Sequence, residues 1–81
     1  MSQWTDEQLI AVWNKGNIAQ RLDPAKYRID DYGQIICFND HGKEHSKYSW
    51  HVDHITPVAF GGTDDLSNLR PLHSLINVGL G

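Results

Sequence analysis

The chain has 81 residues, with ten acidic and seven basic side chains and a formal net charge of −3 at pH 7. This length allows one domain, in which the hydrophobic core alone gives modest stability. No apolar run approaches the roughly 20 residues that cross a bilayer, and the polar start at Met1 shows no export signal. Cys37 is the single cysteine, which excludes an internal disulfide. The composition predicts a soluble, cytoplasmic, globular domain.

The N-terminal segment is predicted to form one amphipathic helix. Thr5 and Gln8 have the spacing of a capping box, in which the first and last residues hydrogen-bond each other's backbone N–H. Trp4 and Leu9 lie where a hydrophobic staple would close, and Gly16 ends the apolar pattern. The expected role of this helix is to cover the core.

The middle of the chain is predicted to contain a β-hairpin. Residues 27–29 and 34–38 are rich in β-branched and aromatic side chains, and residues 30–33 between them have the composition of a turn. Cys37 is expected to be a core residue of the second strand. The polar residues 39–47 are predicted to form a loop.

A strand over residues 48–55 carries the first chemically informative pair, Asp53 and His54. A carboxylate is a hard oxygen ligand for a divalent cation, and an imidazole is a base that titrates near neutrality. Neighbouring side chains of a regular strand point to opposite faces, so both can face one site only if the strand bends or ends there. Pro57 would end the strand or confine it to an edge.

The remaining segment is predicted to return the chain to this pair. Gly61 and Gly62 indicate a tight loop, and residues 68–72 are predicted to form a second strand that pairs with the first. A helix beginning near His73 would then bring Asn77 over the strand ends, where its carboxamide oxygen could bind the same cation.

Taken together, these residues resemble the motif of an HNH endonuclease of the small bacterial or phage type. The motif reads Asp53-His54-Ile-x-Pro, then Gly-Gly, Asp-Leu-x-Asn68-Leu, Leu-His and a final Asn77. Several matched offsets are far more specific than a lone Asp-His pair. The resemblance covers about the last third of the chain.

The resemblance implies an α+β fold with a ββα-metal core, which is a two-stranded antiparallel sheet plus a helix. An N-terminal helix and a further hairpin would be added to that core. Residues 1–81 would then form a single nuclease domain, divided into the helix and hairpin of residues 1–47 and the ββα-metal motif of residues 48–81.

The resemblance also implies a mechanism of DNA hydrolysis. His54 would be the general base, while Asp53 and Asn77 would hold a divalent metal, with Mg²⁺ the expected ion and Mn²⁺, Ni²⁺ or Zn²⁺ left open. Asn68 would fix the loop and the base through backbone hydrogen bonds, although an Asn that merely closes a turn would look the same. The products would carry a 5′-phosphate and a 3′-hydroxyl, in the cytoplasm of a bacterial or phage-infected cell.

Two further residues, Arg70 and His73, are predicted nucleic-acid contacts. The fork of donors on Arg70 suits a phosphate, but pairing with Asp64 or Asp65 would explain it equally well. His73 precedes Asn77 by one helical turn and would share its face, although a solvated or capping role is the commoner one. Surface positions are expected for His41, His45 and His51. Lys43 and Lys47 could contact backbone phosphates, although a solvated loop would explain them equally well.

Two features of the sequence speak against a simple nuclease. The acidic balance is unusual for a protein that binds DNA through its phosphates. Family members usually continue after the motif with Lys or Arg, whereas here Asn77 is followed by Val-Gly-Leu-Gly. Two alternatives therefore stay open: a noncatalytic nucleic-acid-binding or phage packaging module that retains the fold, and a nuclease toxin domain. A larger phage or bacterial assembly would supply the missing basic surface.

Overall fold

The computed structural model describes residues 3–80 and has an α+β fold. Within this range, the four strands form two separate antiparallel sheets of two strands each, β1 with β2 and β3 with β4. No helix in the described part of the chain is long and apolar enough to cross a membrane. The elements are α1 (Asp6–Trp13), β1 (Tyr27–Ile29), β2 (Ile35–Cys37), β3 (Trp50–His54), β4 (Leu69–His73) and α2 (Ser74–Leu80), with 3-10 turns at Phe38–Asp40, Val58–Phe60 and Leu66–Asn68.

Helix α1 begins with the predicted capping box, which is confirmed. The Gln8 backbone N–H donates to Thr5 Oγ1 at 3.1 Å, and the Thr5 backbone N–H donates to Gln8 Oε1 at 2.9 Å. The helix ends at Trp13, three residues before the predicted glycine. A tighter turn follows, closed by the Lys15 N–H, which donates to the carbonyl of Val12 at 3.0 Å.

The first hairpin forms where it was predicted, with its second strand shorter at both ends. Its turn depends on Asp30, whose Oδ1 accepts the backbone N–H groups of Tyr32 at 2.9 Å and Gln34 at 2.8 Å. Gly33 adopts a φ of 83°, which few other residues accept readily. Burial within β2 falls on Ile36, whereas Cys37 is only half-buried, so the expected core position of Cys37 is wrong.

The same turn ties the two sheets together. Asp30 is only 2 % exposed, and its second carboxylate oxygen, Oδ2, accepts the backbone N–H of His73 at 2.9 Å. A buried carboxylate needs several donors to replace the water it has lost. Asp30 obtains them from its own turn and from the end of β4, so the hairpin holds the far sheet in place.

The hydrophobic core lies between α1 and the two sheets, with the fully buried Trp50 at its centre. The ring centroid of Trp50 is 5.2 Å from that of Trp13 and 6.3 Å from that of Phe38. Aromatic rings at these distances add specific contacts to the burial of apolar area. The buried cluster takes residues from α1, β2, β3 and β4, namely Val12, Trp13, Ile36, Trp50 and Leu69.

The second sheet and the two elements attached to it place the functional residues. Strand β3 ends at His54, which pairs with Leu69 at the start of β4. Lys15, just after α1, donates from Nζ to the carbonyl of Leu66 at 2.6 Å and also to the carbonyl of Leu69. The end of α1 is therefore attached to the point where the loop after β3 rejoins the sheet.

Helix α2 is anchored at its first residue. The Ser74 backbone N–H donates to the carbonyl of Ser49 at 2.9 Å, and the two hydroxyl oxygens lie 2.7 Å apart in a buried position. The start of α2 is thus fixed beside the start of β3. Since β4 continues through His73, the helix begins one residue later than predicted.

Candidate functional site

A cavity of about 410 Å³ opens beside the end of β3 and brings four polar side chains together. Asp53 and His54 come from β3, Arg70 from β4 and Asn77 from α2. The rest of the lining is apolar and comes from β3 and the turn that follows it. Because β3 ends at His54, the adjacent Asp53 and His54 can line one cavity, as the sequence required.

Asp53 forms an ion pair across the sheet. Arg70 is its partner in the β3–β4 register, and Arg70 Nε donates to Asp53 Oδ2 at 2.9 Å. Arg70 Nη1 also lies 3.5 Å from Asp31 Oδ2, and the guanidinium carbon lies 5.4 Å from the centre of the Tyr32 ring. Burial lowers the pKa of Arg70, but the hydrogen bonds and charges of Asp53 and Tyr32 outweigh burial and raise the pKa overall. Arg70 is therefore a fixed cation at the cavity.

His54 has a different carboxylate partner. Its Nε2 lies 2.7 Å from Asp64 Oδ1, and its ring centroid lies 5.8 Å from that of Trp4. The His54 side chain is 19 % exposed, while that of Asp64 is 64 % exposed. The alternative in which Arg70 pairs with Asp64 or Asp65 is wrong, because the carboxylates paired with Arg70 are those of Asp53 and Asp31. Asp64 pairs with His54 instead, and Asp65 accepts from the Thr63 hydroxyl.

Asn68 closes the loop that carries Asp64. Its Oδ1 accepts the backbone N–H of Thr56 at 2.8 Å, and its Nδ2 donates to the carbonyls of Thr56 at 3.1 Å and Thr63 at 2.8 Å. Gly62 makes this approach possible, since a Cβ there would lie 1.8 Å from the Thr56 carbonyl oxygen. The Asn68 side chain is directed at backbone groups, and it fixes both ends of the loop at once.

The last two residues of the motif lie in different surroundings. Asn77 lines the cavity from α2. His73 is only 5 % exposed: its Nε2 lies 2.7 Å from the carbonyl of Lys47, and its Nδ1 accepts the backbone N–H of Leu75 at 3.1 Å. His73 ends β4, so the prediction that it shares a helical face with Asn77 is wrong. Both ring nitrogens thus contact backbone groups, and the bond from Leu75 at the start of α2 gives His73 the capping role that was the commoner expectation.

A second cavity, of about 470 Å³, adjoins the first through Asn77 and contains His41 and His51. His41 is half-buried rather than fully exposed as expected, because its ring packs against Trp50 with the two ring centroids 4.8 Å apart. Burial, and then the charge of His51, lowers the pKa of His41. The polar loop sequence around His41 gave no signal of this contact, which depends on a bridge between His41 and Trp50.

The donor atoms of the first cavity fit a hard divalent cation. Asp53 supplies carboxylate oxygens and Asn77 a carboxamide oxygen, which are the ligand types that Mg²⁺ prefers. Of the two Asp53 carboxylate oxygens, Oδ2 accepts a hydrogen bond from Arg70 Nε. Among residues 3–80, no three His, Cys, Asp or Glu side chains are grouped so as to hold a metal. The candidate set thus consists of one carboxylate and one carboxamide.

In a comparison with protein families, residues 42–75 match the model described as HNH endonuclease. The matched range includes Asp53, His54 and Asn68 and ends before Asn77. No curated protein and no solved structure matches the chain significantly.

Proposed function

We propose that this protein is a metal-dependent endonuclease that hydrolyses DNA phosphodiester bonds, and the match of residues 42–75 to the family model described as HNH endonuclease supports the proposal. The observation that carries the proposal is the shared cavity, into which three separate elements bring a carboxylate, an imidazole, a guanidinium and a carboxamide. Phosphodiester hydrolysis needs a base for the attacking water and positive charge for the phosphoryl oxygens. This set of side chains supports both requirements.

Asp53 and Asn77 would hold the divalent cation. When bound, it would supply positive charge against the phosphoryl oxygens and the leaving oxygen. A set of two protein ligands suits Mg²⁺, which usually keeps several waters and accepts substrate oxygens in its shell. Mn²⁺ has similar ligand preferences and serves as a second probe.

His54 would accept the proton of the attacking water. Arg70 would orient Asp53 through its Nε and direct further N–H donors at the scissile phosphate, since a guanidinium carries five donors and the contact with Asp53 uses one. Asn68 would keep the loop in the conformation that supports His54. Cleavage of the bond to the 3′ oxygen would leave a 5′-phosphate and a 3′-hydroxyl.

A noncatalytic nucleic-acid-binding module is the second candidate. The observation in its favour is the Asp53–Arg70 ion pair, which already neutralises the carboxylate that a cation would use. The net charge of −3 also supplies little attraction for a polyanion. This candidate predicts DNA binding without cleavage.

Nicking of a supercoiled plasmid separates the two candidates. The wild type should convert supercoiled to open-circular DNA with Mg²⁺ or Mn²⁺, and EDTA should stop the reaction. His54→Ala should lower the rate by roughly 10²- to 10⁴-fold, the usual contribution of a general base. His45→Ala is the matched control, because His45 lies in an exposed loop. This variant should cleave the plasmid at the wild-type rate.

Binding without nicking by the wild type, across both metals and in low salt, would favour the noncatalytic module. Equal nicking by His54→Ala, with circular dichroism showing an unchanged fold, would exclude His54 as the base. A parallel assay on single-stranded RNA of matched length tests the choice of DNA, because faster RNA cleavage would overturn that part of the proposal.

A further inference from the structure

We propose that Asp64 is a positioning residue that holds the His54 imidazole in one tautomer, with the proton on Nε2 and the lone pair on Nδ1. The proposal rests on the function proposed above, in which His54 is the base. It assigns a role to a residue between the glycine pair and Asn68 that the motif itself does not explain.

The tautomer follows from the contact between the two side chains. His54 Nε2 and Asp64 Oδ1 are 2.7 Å apart, a hydrogen-bond distance. An ionised carboxylate can only accept, so in the neutral imidazole Nε2 must be the nitrogen that carries the hydrogen. Nδ1 then holds the lone pair and is the atom able to accept a proton from water.

The loop holds Asp64 through its neighbours on both sides. The carbonyl of Thr63 accepts from Asn68 Nδ2 at 2.8 Å, and Thr63 Oγ1 donates to Asp65 Oδ2 at 3.0 Å. The carbonyl of Asp65 accepts the backbone N–H of Asn68 at 2.8 Å. Asn68 therefore holds the backbone of the residues on both sides of Asp64. In this way Asn68 influences the position of His54 through Asp64.

Stability does not account for the contact. The Asp64 side chain is 64 % exposed, and ion pairs at such positions contribute little to folding because water screens them. Orientation of a base is a different matter, because a base whose lone pair faces away from the water cannot take its proton. Trp4 contacts the same ring, so the imidazole is limited by an aromatic side chain as well as by the carboxylate.

The chemical step balances without any proton transfer to Asp64. The water gives one proton to His54 Nδ1 as its oxygen bonds to phosphorus. The bond from phosphorus to the 3′ oxygen breaks, its electron pair stays on that oxygen, and a proton from solvent water completes the 3′-hydroxyl. The imidazolium formed carries hydrogens on both nitrogens, and the negative charge of Asp64 faces the one on Nε2. Asp64 thus stabilises the charge that develops on the base.

The test combines NMR with cleavage on Asp64→Ala, Asp64→Asn and the matched control Glu7→Gln, which removes one carboxylate charge from an exposed position on α1. In ¹⁵N-histidine-labelled protein, at a pH where the ring is neutral, a two-bond ¹H–¹⁵N spectrum shows which nitrogen carries the proton; comparison with His54→Ala assigns the signals. The wild type should show a slowly exchanging proton on Nε2. Asp64→Ala should lose it and cleave roughly 10- to 100-fold more slowly, the usual cost of losing such a support.

Asp64→Asn should recover part of both losses, because its carboxamide oxygen can accept from Nε2 but carries no charge. Glu7→Gln should match the wild type in both measurements. A proton on Nδ1 in the wild type, an unchanged Nε2 proton signal in Asp64→Ala, or faster cleavage by Asp64→Ala would overturn the proposal. The NMR measurement needs no cleavage, so it fails separately from the proposed function, which an inactive wild type would overturn.

Discussion

Arg70 and Asp53 stand opposite each other in the β3–β4 ladder, joined by a 2.9 Å hydrogen bond from Nε to Oδ2. Both side chains are largely buried, so water screens their interaction less than it screens an exposed pair. The carboxylate proposed to bind a cation is therefore balanced by an internal cation. Arg70 should stabilise the sheet and at the same time weaken metal binding.

Replacement of Arg70 by Ala tests these opposed effects. We expect the free energy of unfolding to fall by about 1–3 kcal/mol, because Asp53 loses its charged donor. We also expect Mn²⁺ to bind more tightly, as measured by calorimetry, since it no longer shares the carboxylate with a guanidinium. Arg70→Lys should have a stability and a Mn²⁺ affinity between those of the wild type and Arg70→Ala, because lysine keeps the positive charge but lacks the forked guanidinium. Equal Mn²⁺ affinity in Arg70→Ala would show that Asp53 does not bind the metal.

Asn77 should reveal its role through metal rescue. If its carboxamide oxygen binds the cation, Asn77→Ala should lose cleavage activity that raised Mn²⁺ partly restores. Asn77→Asp should keep more activity, because a carboxylate supplies an oxygen in nearly the same place. Cleavage rates across a Mn²⁺ titration provide the measurement. An Asn77→Ala variant with lower activity but the same metal dependence as the wild type would point to a structural role.

Replacement of Asn68 should open the loop after β3. Asn68→Ala removes three hydrogen bonds to the backbone, for which we expect a stability loss of roughly 1–3 kcal/mol. Asn68→Asp should be at least as damaging, because it turns an acceptor oxygen towards two carbonyl oxygens. The exposed neighbour Ser67→Ala is the control in urea denaturation. A more stable Asp variant than Ala variant would contradict the observed amide orientation.

The two adjacent glycines should respond differently to substitution. At Gly62 a Cβ would lie 1.8 Å from a backbone oxygen of Thr56, so Gly62→Ala must displace the loop. Gly61 has a φ of 89° and open space around it, so Gly61→Asn should cost only about 1 kcal/mol. Thermal unfolding should rank the wild type first, Gly61→Asn second and Gly62→Ala last. The reverse order would contradict the close approach at Gly62.

The lowered pKa of His41 makes stability depend on pH. Burial favours its neutral form in the folded state, so the unfolded chain binds more protons as the pH falls past the ordinary value of 6.5. Stability should therefore decrease from pH 7.5 to pH 5.5. His41→Phe should reduce this decrease because it keeps a ring beside Trp50 and removes the titration. Urea midpoints at the two pH values measure it, and an equal decrease in both proteins would exclude His41 as a cause.

Local patterns predicted the parts of the fold that depend on local interactions. The capping box of α1 and the bounds of β1 follow from side-chain chemistry within a few residues. The end of β3 near Pro57 also follows, and it places Asp53 beside His54 at one cavity. These features were predictable because each one depends on residues that are close together in the sequence.

Contacts between distant elements were not predictable in the same way. The bond from the His73 backbone to Asp30 spans the two sheets, and nothing near either residue in the sequence indicates it. The same holds for the pairing of His54 with Asp64, which depends on how the loop after β3 folds back. A one-residue change in where β4 ends also turned His73 from a helical surface residue into a buried one.

The attachment of Lys15 to the carbonyls of Leu66 and Leu69 has a chemical consequence. An ammonium group engaged by two backbone oxygens must leave both before it can lose a proton and attack an acylating reagent. The rate of Lys15 acylation therefore reports how often the loop end separates from α1. Acetylation of Lys15 would remove the charge and leave those two oxygens without this donor. It would therefore weaken the attachment of the loop end to the residues that follow α1.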